Sequence, residues 1–158
     1  MFDTILGLPV HVLVIHAVVV LVPLGSLGVI AMAVVPRWRE RFGWAVLAVL
    51  TVGVASVPVA TKSGHKLKDR LHASGTIAKQ IQHHETMGNR VIYPAVAVWV
   101  LGVALYLLHR RGRGGALVTV VAVLAALAGV AAIAQVAYTG HLGSTAVWSC
   151  TIGSSACK

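Results

Sequence analysis

The sequence predicts an all-α integral membrane protein: one four-helix bundle with up-down-up-down connectivity. Two observations carry that prediction. Of 158 residues, 58% are hydrophobic and 11% are charged, against about half and about a quarter in soluble domains. The apolar excess lies in four long runs rather than in a periodic stripe, and each run has about the 17–25 residues a helix needs to cross hydrocarbon.

The first run extends from Leu8 to Val35 and the second from Trp44 to Thr61. The third covers Val91 to Leu108 and the fourth Ala116 to Thr139. All four must be helical, because lipid satisfies no backbone polar group. The first run is expected to be a span and not a cleaved leader: it lacks a basic segment before it, and Arg37, Arg39 and Arg41 follow it like a stop-transfer signal. Pro23, Pro58 and Pro94 fall inside three spans and are expected to kink them. Small residues such as Gly25, Gly53, Gly102 and Gly129 let helices approach closely.

Pro36–Gly43 and His109–Gly115 read as tight turns between antiparallel helices. Lys62–Arg90 reads as a long polar connection carrying a short amphipathic helix around Ile77–Ile81. Residues 1–148 form the single four-span domain, and residues 149–158 form a tail on the same side as the N-terminus.

The net charge of +9 comes from basic residues in short loops between apolar runs. That distribution points to topology and anionic lipid headgroups, not to nucleic acid. Asp3 precedes the first helix and three arginines follow it, which places both termini outside the cytoplasm. Cys150 and Cys157, the only cysteines, lie on that side. A disulfide between them would fit an oxidising compartment, and two free thiols are the alternative.

Histidine placement carries what the sequence says about chemistry. Seven of the eight histidines fall toward one side of the membrane, and only His109 lies at the other. With a rise of about 1.5 Å per residue, His11, His84 and His141 come to about 36 Å from the cytoplasmic helix ends, His65 to about 33 Å and His16 to about 28 Å. Imidazoles from different helices are therefore expected to meet near one end of the bundle.

His16 stands among Ile15, Ala17, Val18 and Val19, and an ionisable residue inside a span usually faces the bundle interior with a partner. Of the neighbours His83 and His84, which diverge by about 100° on a helix, only one faces the core; His84 is the candidate. Glu85 beside it could accept a hydrogen bond from a ligand imidazole or remain a headgroup-level charge. Ser63-Gly64-His65 and Thr139-Gly140-His141 look like repeated hairpin ends. Each glycine is expected either to cap its helix in the left-handed region or to let a flat macrocycle approach the backbone.

Three function classes follow. Imidazoles on facing helices are how membrane b-type cytochromes hold haem. His16 with His84 or His141 are the expected axial ligands, and His11 and His65 come next. Lys62, Lys66, Lys68 and Arg90 are candidate partners for the haem propionates. Covalent attachment is excluded, since no Cys-x-x-Cys-His occurs. In the second class, His16, His84 and His141 hold copper or zinc. In the third, the protein is a cofactor-free structural or pH-sensing membrane protein. Asp3, Glu40, Asp69 and Glu85 are the only carboxylates, too few for paired-carboxylate hydrolysis.

Several stretches resemble a known family. Gly7-Leu8-Pro9-Val10-His11 with His16-Ala17-Val18-Val19 is similar to the opening of bacterial membrane proteins grouped as domain of unknown function 2231, especially actinobacterial ones. Pro36-Arg37-Trp38-Arg39, His84-Glu85-Thr86-Met87-Gly88 and Gly140-His141-Leu142-Gly143 through Trp148 resemble it too. The resemblance implies four spans, a bacterial cytoplasmic membrane location and, through fusion of some relatives to Rieske iron–sulfur domains, electron transfer. It carries over His11, His16, His84 and His141. His65, the basic Lys62–Arg70 stretch and the cysteine tail depart from it. A lipid bilayer, a redox partner protein or quinone, and a second copy of the chain are the partners this reading expects.

Overall fold

The computed structural model describes Thr4, Ile5 and residues 7–149. It has a two-stranded hairpin, β1 (Thr4–Ile5) and β2 (Leu8–Pro9), followed by α1 (Val10–Val34), α2 (Pro36–Leu71), α3 (Gly75–Arg90), α4 (Ile92–Arg110) and α5 (Ala116–Trp148). Thr4 pairs with Pro9 and Ile5 with Leu8, and Gly7 takes φ 80° between them. Cys150 and Cys157 lie outside the described residues, so the disulfide expectation falls there too.

Four helical rods have the length and apolarity to cross a membrane: α1, α2, the α3–α4 pair and α5. The predicted four-span, all-α architecture is therefore what the chain adopts. Packing runs around a ring, α1 against α2, α2 against α4, α4 against α5 and α5 against α1. Val22, Val29 and Met32 of α1, Leu50 of α2, and Val98 and Leu105 of α4 are fully buried inside it. Leu24, Leu27, Val120, Leu127 and Val130 face outward and are exposed, as a lipid-facing surface requires.

The connections differ from expectation. Pro36–Gly43 is not a turn but the start of α2, which follows α1 after Val35 alone. Proline at the first helical position costs no hydrogen bond, so the helix starts there readily. Arg39 closes the junction: its Nε donates to Met32 O at 2.6 Å and its Nη2 to Ala33 O at 2.9 Å. A guanidinium thus satisfies carbonyls that the end of α1 leaves open.

Lys62–Arg90 is not a long connection either. At 36 residues, α2 is about 54 Å long by helical rise, well past a hydrocarbon core of about 30 Å. It therefore carries Lys62–Leu71 beyond the apolar layer as helix and ends at His72 in the left-handed region, φ 44°. The amphipathic helix is all of α3, and it leads into α4 with one break at Val91. Pro94 explains that break. It has no N–H for the carbonyl four residues back, and its ring crowds that carbonyl. Helices α1 and α2 run on through Pro23 and Pro58.

Glycines set the spacing of the first hairpin. A Cβ on Gly25 would stand 2.7 Å from Leu50 Cβ and 2.9 Å from Leu50 Cα, and one on Gly53 would stand 3.0 Å from Val22 N. Backbone thus meets backbone between α1 and α2, the close approach that small residues permit in membranes.

Candidate functional site

The site lies at the end of the bundle shared by the start of α1, the end of α2, α3 and the end of α5. His11, in the first turn of α1, reaches α2, where its Nδ1 donates to Ala60 O at 2.9 Å. His84, in α3, reaches α5, where its Nδ1 donates to Thr139 O at 3.0 Å. A carbonyl oxygen can only accept, so Nδ1 carries the hydrogen in both rings. In the neutral imidazole each Nε2 is then a bare lone pair. Neither Nε2 has a hydrogen-bond partner among the described residues. The two ring centroids lie 6.4 Å apart and the ring planes meet at 79°.

A glycine seats each ring. A Cβ on Gly64 would stand 3.0 Å from His11 Cε1, and one on Gly143 would stand 3.0 Å from His84 Cε1. In both cases the glycine follows the acceptor carbonyl by four residues, one helical turn, so carbonyl and glycine share one helix face. His11 with Ala60 and Gly64, and His84 with Thr139 and Gly143, are two copies of one arrangement.

This correspondence is not the one read in the sequence, which aligned Gly64 with Gly140. Gly64 corresponds to Gly143, not to Gly140. Neither Gly64 nor Gly140 is a helix cap; both lie inside long helices, and nothing stands within 4 Å of a Cβ on Gly140. The glycine at the imidazole makes room for the imidazole itself.

Of the five candidate histidines, the structure brings together His11 and His84. His16 does not face the bundle interior: it is exposed, and its Nδ1 donates to Val12 O of its own helix at 2.6 Å. Five residues separate it from His11, about 500° of helix rotation, or 140° after a full turn, so the two cannot share a face. His141 is exposed on α5. The imidazole of His65 is 48% exposed and its Nε2 lies 3.3 Å from Glu85 Oε1, while Lys68 Nζ sits 2.6 Å from Oε2. Glu85 thus does meet an imidazole, but that of His65, and it ties α2 to α3. Among the described residues no group of three or more histidine, cysteine or acidic side chains is placed to hold a metal ion.

Sequence reasoning missed two groups. Gln135 is a lone amide in the apolar run of α5; its Nε2 donates to Met87 O at 3.0 Å and fixes α5 against α3 one turn from Thr139. Being the only amide in that run was its signal. Ala60 contributes only a backbone oxygen, which also accepts from Ser63 Oγ at 3.0 Å, and no side-chain pattern marks it. Beside His11 a cavity of about 470 Å³ opens between β2, α1 and α2, lined by Val10, Pro58 and Leu67 and by Lys62, Lys66 and Arg70.

A family model described as a predicted membrane protein, domain of unknown function 2231, matches residues 7–156. The chain belongs to that family. The family match runs past Trp148 and over Cys150, further than the resemblance read from the sequence. No curated protein and no solved structure matches the chain.

Proposed function

We propose that the protein is a membrane-bound b-type haem protein that passes electrons, with His11 and His84 as the axial ligands. The paired imidazoles carry this reading. Two imidazoles on one ion, with N–metal bonds of about 2.0–2.1 Å, place their ring centroids roughly 6 Å apart, close to the 6.4 Å observed. Both rings are held in the tautomer that leaves Nε2 free to ligate, and the Nδ1–H···O=C bond raises ligand basicity.

The donor count favours haem over copper or zinc. A macrocycle supplies four nitrogens and needs two from the protein, whereas small-ion sites take three or four protein ligands. Bound there, the iron would supply a one-electron couple. The chain's own part is to fix two rings against main-chain carbonyls and surround them with apolar helix. We place this end, with both termini, outside the cytoplasm of a bacterial cytoplasmic membrane. A quinone or a redox protein is the proposed electron partner.

The test is the absorption spectrum of detergent-purified protein before and after dithionite, for wild type and for four alanine variants. A Soret band that sharpens and shifts on reduction, lost in His11→Ala and His84→Ala but kept in His16→Ala and His141→Ala, is the expected result. A featureless spectrum from cells supplied with haem would overturn the haem reading. Loss in His16→Ala alone would overturn the ligand assignment.

A further inference from the structure

We infer that a groove at the bundle end opposite the paired histidines binds the phosphate headgroup of an anionic phospholipid. Arg39 carries the inference. It is only 7% exposed, and a buried charge is normally paired with an opposite one. Its hydrogen bonds run to the main-chain oxygens of Met32 and Ala33, which hold the guanidinium still and leave its charge in place. No carboxylate pairs with it among the described residues. Glu40, the one carboxylate described at this end, is exposed and does not line the groove.

The groove has a volume of about 410 Å³ and lies between the α1–α2 junction and the start of α5. Arg113 lines it with Arg39, from the turn before α5, and no ion pair engages Arg113 among the described residues. Its planar fork of N–H donors suits phosphate oxygens. The floor is apolar. Val118, Ala122 and Ala126 follow at intervals of four, so they share one face of α5, and Val34 of α1 borders them.

From Gly115 to Ala126 that floor runs about 16 Å along the helix, away from the arginines and into the apolar layer. A free anion would use the two cations alone, whereas a lipid also fills the floor, and basic pockets between membrane helices take such headgroups. The groove lies at the far ends of α1 and α5 from Thr4 and Ser149, where the described residues begin and end. The inference is independent of the haem reading.

The experiment is native mass spectrometry of the full chain released from bilayer discs of phosphatidylglycerol mixed equally with phosphatidylcholine. Retained phosphatidylglycerol should exceed phosphatidylcholine by about tenfold. Arg113→Gln should cut that ratio by about fivefold, the scale for one basic residue at an anionic surface, and Arg39→Gln at least as much. Ala126→Leu, which fills the floor without changing charge, should lower retained phosphatidylglycerol several-fold. Arg110→Gln, which removes the same charge outside the groove, should keep the ratio.

Thermal unfolding checks that each variant is folded. Arg39→Gln also opens the α1–α2 junction, so Arg113→Gln and Ala126→Leu decide if it does not fold. Equal retention of the two lipids by the wild type would overturn the site. So would a full ratio in Arg113→Gln, or an equal fall in Arg110→Gln, which would assign the preference to net charge. Displacement of the lipid by millimolar inorganic phosphate, or retention untouched by Ala126→Leu, would show a site for a free anion instead.

Discussion

The two halves of the bundle agree at one end and differ in the middle. At the histidine end, α1 with α2 and α3 with α5 each contribute an imidazole, an acceptor carbonyl and a glycine one turn beyond it. In mid-membrane the symmetry is gone. Gly25 and Gly53 bring α1 and α2 together backbone to backbone, whereas Gly102 of α4 and Gly129 of α5 both face α1 rather than each other. A repeat held to one pattern only where two rings must meet shows where the geometry matters. Elsewhere, any close packing of apolar surface suffices.

The sharpest way to break this comparison is in mid-membrane. Gly25→Ala sets a methyl group against Leu50 Cα, and backbone cannot swing aside. Gly129→Ala meets chiefly the Cγ1 and Cδ1 of Ile30, which can rotate away. Gly25→Ala is expected to cost about 1–3 kcal/mol, the usual scale for overpacking, and Gly129→Ala less. Thermal unfolding in detergent reads both. An equal drop in Tm would show that α5 meets α1 as tightly as α2 does.

A smaller effect tests the equivalence of the glycine seats. Gly64→Ala and Gly143→Ala each press a methyl group on an imidazole at 3.0 Å, and the ring must give by a few tenths of an ångström. If His11 and His84 hold haem as proposed, both should shift the midpoint potential and the position of the reduced α band, in similar measure. Gly140→Ala, with nothing within 4 Å, should leave the spectrum unchanged and hold stability steady or raise it by about 0.4–1 kcal/mol. A response from only one seat would mean that only one ring ligates.

The smallest effect is expected at Glu85. Its carboxylate bridges Lys68 and His65, but the partners are 42% and 48% exposed, and exposed pairs contribute about 0–1 kcal/mol. Glu85→Gln should lower Tm slightly, and less at high salt. A large loss would give this link a role in positioning α3, and with it His84.

Spans were legible in the sequence because the bilayer imposes length and apolarity directly. The connections were not. Pro36 reads as a helix breaker until its place at the first helical position is known, and Lys62–Leu71 is polar because it leaves the apolar layer, not because it leaves the helix. At the site, matched depth along α1 and α3 was readable and brought His11 and His84 to one level, as the structure has them. Rotation about the helix axis was not readable for His16, because every neighbour is apolar and lipid and core look alike in composition. Ala60 and Thr139 act through main-chain oxygens, which leave no mark on side-chain patterns.

The matching pair of imidazole, carbonyl and glycine also bears on ancestry. A chain of half this length would carry one ring, one acceptor and one seat. It could complete the pair only by meeting a second copy across a two-fold axis along the membrane normal, the relation between parallel repeats in many transporters. Fusion of two such halves would free each from self-complementarity. Thereafter Gly25 and Gly53 could specialise one hairpin without altering the other.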